Sequence, residues 1–94
     1  AACIAVARRG GTTATYDMLN KYLGISNAII VASNYWNSVH GRTPGEASQD
    51  LEGMQTMRIL GTNMAWVLKL VECGKANGLP APALEGKVMY NFVH

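Results

Sequence analysis

Two short stretches of the chain carry no polar residue at all: Ile4-Ala5-Val6-Ala7, preceded by Cys3, and Ala28-Ile29-Ile30-Val31-Ala32. A strand with one wet face alternates apolar with polar residues. These two do not, so each asks for cover on both faces, as in a parallel sheet between helical layers. The first run ends in Arg8-Arg9-Gly10-Gly11 and the second in Ser33-Asn34, and strands are expected over 3–7 and 28–33.

Between them, residues 13–23 have helical spacing. Leu19 and Leu23 repeat at i, i+4, as do Met18 and Tyr22. Thr12 or Thr13 offers an N-cap hydroxyl, and Gly24 stands where a left-handed C-terminal residue belongs. Strand, helix and strand in so short a span make one βαβ unit, whose right-handed crossover brings both strand C-termini to the same edge. A loop rich in turn formers and aromatic residues follows, and then a long helix is expected over 48–73. Met54, Met57, Leu60, Gly61, Met64, Leu68 and Val71 mark its apolar face. Gly53 and Gly61 each cost about 1 kcal/mol in a helix interior, for which close helix packing is the expected compensation. Residues 74–86 read as a Pro/Gly/Ala connector and 87–94 as an edge strand or ordered tail, so 1–73 form the structured unit and 74–94 the connector and tail.

Composition narrows the function. With 94 residues, 49% of them hydrophobic and 15% charged, the chain is one small domain that should fold and not a disordered tail. A net charge of +2 with no clustered basic run lacks the footprint of a nucleic-acid binder. Cys3 and Cys73 allow at most one bridge, and no Cys/His group has metal-ligand spacing. The stretch from Leu51 to Val71 is interrupted by Glu52, Gln55, Arg58, Asn63 and Lys69, too costly for a membrane span. A cytoplasmic protein is expected.

Two parallel strands needing cover on both faces cannot form a stable sheet by themselves. The sequence opens in or just before a strand, without a Met. Together these features suggest the carboxyl half of a doubly wound α/β domain, completed by an amino-terminal half or a second chain, with a homo-oligomer expected. In such sheets ligands bind outside the carboxyl ends of the strands. Two loops should build that edge: Ala7 through Thr13, where Gly10 and Gly11 allow close approach to a helix N-terminus, and Asn34 through Arg42, which brings flat aromatic faces and a histidine. A planar, hydrogen-bonding, partly anionic ligand would suit them.

Each candidate also has an ordinary reading. Arg8 and Arg9 are either ligand contacts or a solvated pair at a strand end. Tyr35 and Trp36 belong to a substrate site, to a dimer contact or to the anchoring of their own loop. His40 could donate a proton, and lone loop histidines are commonly bystanders. Met54, Met57 and Met64 fit helix packing better than a soft binding surface. Asp50 and Glu52 read as favourable charges in the first turn of the long helix, not as a catalytic pair.

The order ARRGGTTAT, AIIVASNYWNSVHG and PGEASQDLEGMQTMRILGTNMAWVLK resembles the carboxyl half of flavodoxin-like NAD(P)H-dependent FMN reductases, a group that includes the iron–sulfur flavoproteins. The most specific part is the Pro-Gly-Glu loop and the run from Asp50 to Asn63. Asn91-Phe92 also resembles how some members end. The resemblance implies a five-stranded parallel sheet that binds FMN, accepts hydride from NAD(P)H and reduces flavin, quinone or another acceptor. The family's phosphate loop, its second flavin loop and any cluster-binding cysteines would lie in the amino-terminal half. The family's Gly-Gly-Gln-Glu-Thr-Thr loop is matched here by Gly10, Gly11 and Thr15, with Thr12 and Thr13 in place of the Gln-Glu pair. Backbone contacts to a flavin ring therefore carry over better than side-chain ones. Independently of the resemblance, an Arg8 or Arg9 cation near the ring's pyrimidine edge would favour the anionic reduced form by Coulomb attraction. Two other classes remain open: a flavodoxin-type electron carrier, and a non-enzymatic half-domain or assembly fragment.

Overall fold

The computed structural model describes residues 1–90. Its elements are β1 (Ala5–Ala7), α1 (Thr12–Ile25), β2 (Ser38–His40), a 3-10 turn (Glu46–Gln49) and α2 (Leu51–Ala76). The two strands pair in parallel, with Ala5 opposite Ser38, Val6 opposite Val39 and Ala7 opposite His40. An α/β chain of two parallel strands and two helices results, compatible with a fragment of a flavodoxin-like sheet.

The parallel βαβ unit is as expected, but its second strand is Ser38–His40 and not 28–33. The apolar run does approach β1. The Ala1 nitrogen donates to the Ile29 carbonyl at 2.7 Å, and the Val31 N–H donates to the Ala1 carbonyl at 2.8 Å, which is one rung of a parallel ladder centred on Ile30. Ala1 thus faces a residue 29 positions on, whereas Ala5 faces Ser38, 33 positions on. Four extra residues are accommodated in between, and they lift Ser33 to Trp36 out of the ladder.

Two amides hold this bulge. Asn37, only 1% exposed, donates through Nδ2 to the Cys3 carbonyl at 3.1 Å and accepts from the Ser33 hydroxyl at 2.6 Å. From α2, Asn63 donates through Nδ2 to the Ala32 carbonyl at 2.8 Å. The bulge is therefore fastened to β1 on one side and to α2 on the other, and the backbone polar groups freed from the ladder find side-chain partners.

Helix boundaries also differ in detail. The N-cap of α1 is Gly11 at φ +94°, with no side-chain cap bond, so neither Thr12 nor Thr13 caps it. Gly24 lies inside the helix, and the left-handed residue beyond its end is Asn27 at φ 58°. For α2 the N-cap is Asp50, whose side chain accepts from the Gly53 N–H. Asp50 therefore precedes the first turn, while Glu52 lies within it as expected. Beyond Ala76 there is no regular structure through Tyr90, so Lys87 to Tyr90 form no strand. Asn91 to His94 lie outside the described residues.

The parity of β2 fixes its two edges. The Ala5 N–H donates to the Asn37 carbonyl at 2.9 Å, and the Gly41 N–H to the Ala7 carbonyl at 3.1 Å. The backbones of Asn37, Val39 and Gly41 thus turn toward β1, and those of Ser38 and His40 turn outward. The outward His40 N–H is taken by the Asp50 carboxylate at 2.8 Å, at the start of α2, so this edge is closed. By the same alternation, Val6 turns its backbone to the far side of β1, where the described residues place no strand.

The molecule is open on that side. Its buried apolar residues are Ala5, Tyr16, Val31, Val39 and Leu60. Val6 is 64% exposed although its partner Val39 is 5% exposed, and Ile4, Ile29, Met18 and Tyr22 are also exposed. The radius of gyration is 17.4 Å, against about 12 Å for a compact chain of this length. Along α2, Met54, Met57 and Met64 are half-buried around a buried Leu60, while Leu68 and Val71 remain exposed. The apolar face is covered only over the N-terminal part of the helix.

Of the two helix glycines, one has a steric reason. A Cβ on Gly53 would lie 2.5 Å from Asp50 Oδ2 and 3.1 Å from the Ser38 carbonyl, so the close contact is with β2 and the cap, not with another helix. A Cβ on Gly61 would meet nothing within 4 Å, and no close packing compensates that glycine. Gly53→Ala is expected to cost about 1–3 kcal/mol through overpacking. Gly61→Ala should gain up to about 1 kcal/mol from helix propensity. Urea unfolding midpoints of the two variants should move in opposite directions.

Candidate functional site

Because Ala7 and His40 are register partners, the segments after the two strands emerge side by side. Arg8, Arg9, Gly10 and Gly11 are exposed, and Thr12 is buried as the chain turns into α1. The first helical bond runs from the Thr15 N–H to the Gly11 carbonyl at 3.0 Å. The N–H groups of Thr12, Thr13 and Ala14 consequently have no acceptor within the helix. No acidic residue occupies that first turn. A Cβ at Gly10 or Gly11 would meet nothing within 4 Å, so the loop leaves open space directly before a row of free donors.

The aromatic residues sit elsewhere than expected. Tyr35 and Trp36 precede β2 and belong to the bulge, so they do not flank the loop beyond the strand ends. Trp36 meets Tyr16 of α1 with ring centroids 6.2 Å apart, and Tyr35 lies 5.7 Å from Trp36. Both bulge rings stay more than half exposed. They line a cavity of about 260 Å³ together with Ser38, His40, Asp50, Glu52, Gly53 and Thr56, on the outer side of β2. His40, at the end of β2, is the residue that connects this cavity with the strand-end edge.

Asp50 organises the cavity. Its Oδ1 accepts from the Gly53 N–H at 3.0 Å, its Oδ2 accepts from the His40 N–H, and His40 Nδ1 stands 3.8 Å from Oδ2. Bonding to the Gly53 N–H, and next to the His40 N–H, holds its carboxyl below the usual range. Before it, Glu46 closes the Arg42–Gly45 turn through bonds to the Arg42 and Thr43 backbone at 2.7 and 3.0 Å. Its pKa is lowered by the Thr43 side chain first and by those two N–H groups second. Burial pushes the Cys3 thiol up, and its Sγ lies 3.1 Å from Asn20 Oδ1.

Sequence reasoning placed Arg8 to Thr13 and His40 at one edge, and the structure brings these together. It missed Tyr16, Asn37, Asn63 and the capping role of Asp50. Of these only Asp50 had a sequence signal, an acidic residue directly before an apolar helical run. Among the described residues no group of three or more His, Cys, Asp or Glu could hold a metal ion, and no helix is long and apolar enough to cross a membrane.

Fold and site together define an α/β chain with a glycine loop and a helix N-terminus at the carboxyl edge of parallel strands. Among curated proteins the chain is similar to an iron–sulfur flavoprotein of Methanocaldococcus jannaschii, 30% identical over 77 residues, which cover 77% of this chain and 40% of that protein. The chain thus spans less than half the length of the relative it matches. No family model and no solved structure matches it.

Asp50 and Glu46 have lowered folded-state pKa values, so their stabilisation is full above the unfolded carboxylate range and is lost as pH falls through the lower folded values. Stability is therefore expected to decline on acidification below about pH 4. Asp50→Asn should be less stable than wild type at pH 7 and should show a shallower acid decline. Thermal unfolding followed at pH 7, 4 and 2.5 checks this: the two proteins should converge at the acid end.

Proposed function

We propose that this chain is the carboxyl half of an FMN-binding oxidoreductase that takes hydride from NAD(P)H and reduces flavin, quinone or a similar acceptor. The observation that carries the reading is the Gly10–Gly11 loop. It offers open space in front of the unpaired N–H groups of Thr12, Thr13 and Ala14, as a planar, hydrogen-bonding ring requires. Similarity to an iron–sulfur flavoprotein supports it. Bound FMN would supply the hydride and electron chemistry, which is the cofactor's own. Gly10, Gly11, Thr12 and Thr13 would hold the ring through backbone donors. The exposed guanidinium groups of Arg8 and Arg9 would attract negative charge gathered at its pyrimidine edge. His40 is the nearest candidate on the neighbouring strand for moving a proton, and no side chain need act as nucleophile.

The reading includes an amino-terminal half, or a second chain, added to the open side of β1, within a cytoplasmic homo-oligomer. What supports this is the unpaired outer edge of β1 together with the exposed Ile4 and Val6 beside it. A further apolar layer there would add about 1.5–3 kcal/mol for each large side chain it covers.

The test is to mix the chain with excess FMN, gel-filter it and record the visible spectrum of the protein peak. Flavin is expected to co-elute with wild type and to be lost from Gly11→Val, because a β-branched residue is strained at φ +94° and fills the loop. Bleaching of the retained flavin by NAD(P)H separates a reductase from an electron carrier. A colourless wild-type peak would overturn the reading that the Gly10–Gly11 loop of this chain holds flavin, and would favour the non-enzymatic half-domain instead.

A further inference from the structure

We propose that the cavity on the outer edge of β2 is a binding site for a small planar cation, separate from the glycine loop. Its walls include the exposed faces of Tyr35 and Trp36, and its polar rim is Asp50 and Glu52, with no lysine or arginine among the lining residues. Aromatic faces carry negative electrostatic potential and attract cations, the more so when a carboxylate stands on the same side. Asp50 already has each of its oxygens on a backbone N–H, which keeps the carboxylate charged. Glu52 has no ion-pair partner among the described residues.

Two features oppose a cation. The N-terminus of α2 contributes roughly half a positive charge, and the His40 imidazole adds one more when protonated. Two full carboxylate charges outweigh the helix end, and they outweigh the helix end and one imidazolium charge together. Size sets the ligand class. A volume of about 260 Å³ falls just under the range typical of drug-sized pockets, so it admits one aromatic ring with a short substituent. The ring would lie against Trp36 with its charge toward Glu52.

The test uses three ligands of one shape at pH 8: benzamidinium, benzamide and benzoate. In a Trp66→Phe background, Trp36 is the remaining tryptophan and its fluorescence reports the cavity. Benzamidinium should quench it saturably and bind at least about fivefold more tightly than benzoate, with benzamide between them. Glu52→Gln, an exposed position, should reduce that preference at least about twofold, while Glu72→Gln, farther along the same helix, should leave it unchanged. Equal or tighter binding of benzoate, a preference unaffected by Glu52→Gln, or absence of saturable quenching by benzamidinium would each overturn the proposal. No flavin is present in the experiment, so its failure is distinct from failure of the glycine-loop reading.

Discussion

The Asp50 carboxylate sits where strand, turn and helix meet, and most of the local architecture depends on it. One oxygen caps α2 and the other takes the outward N–H of His40, an atom that a further strand would otherwise claim. A charged side chain in that position closes a sheet edge and keeps other chains from adding to it. It also explains the glycine three residues on. Helix and strand approach so closely at this junction that a methyl group at Gly53 would enter both the cap and the Ser38 carbonyl. The two edges of the strand pair are thereby made different: the outward edge of β2 is closed by a carboxylate, while the outer edge of β1 is unpaired among the described residues.

How much of this was legible in the sequence follows from which interactions are local. The βαβ unit could be read because two apolar runs, a Gly-Gly turn and a helical repeat are short-range signals. The position of β2 could not. Ala28 to Ala32 looks far more strand-like than Ser38-Val39-His40, and it does touch β1 through the Ala1 rung. Register is then handed to the later segment by Asn37, which reaches across 34 positions to the Cys3 carbonyl, and by Asn63, which fixes Ala32 from 31 positions away. No periodicity announces such side-chain bonds. The glycine loop and His40 were legible because strand ends are set by topology. The displacement of Tyr35 and Trp36 was not, because it follows from the bulge.

Exposed apolar surface is common in small proteins, but its distribution here is uneven. Val6 and Val39 are paired across the ladder and lie on one face, yet one is exposed and the other buried. On that face cover is present over Val39 of β2, where α2 begins, and lacking over Val6 of β1, whose other face buries Ala5. The same contrast appears along α2, whose N-terminal turns are packed and whose Leu68 and Val71 are about half exposed.

The difference between the edges also separates the two candidate sites. Ligands at the carboxyl end of a parallel sheet rest on loops from adjacent strands. The Gly10–Gly11 loop leaves β1, the strand whose outer side is unpaired among the described residues. The cavity beside β2 is different in kind. Its aromatic walls are braced by Asn37 and Asn63, its carboxylate is locked by the α2 cap, and every wall comes from residues 35–56. The glycine loop thus opens at the unpaired edge of the strand pair, and the cavity beside β2 is set at the edge that Asp50 closes.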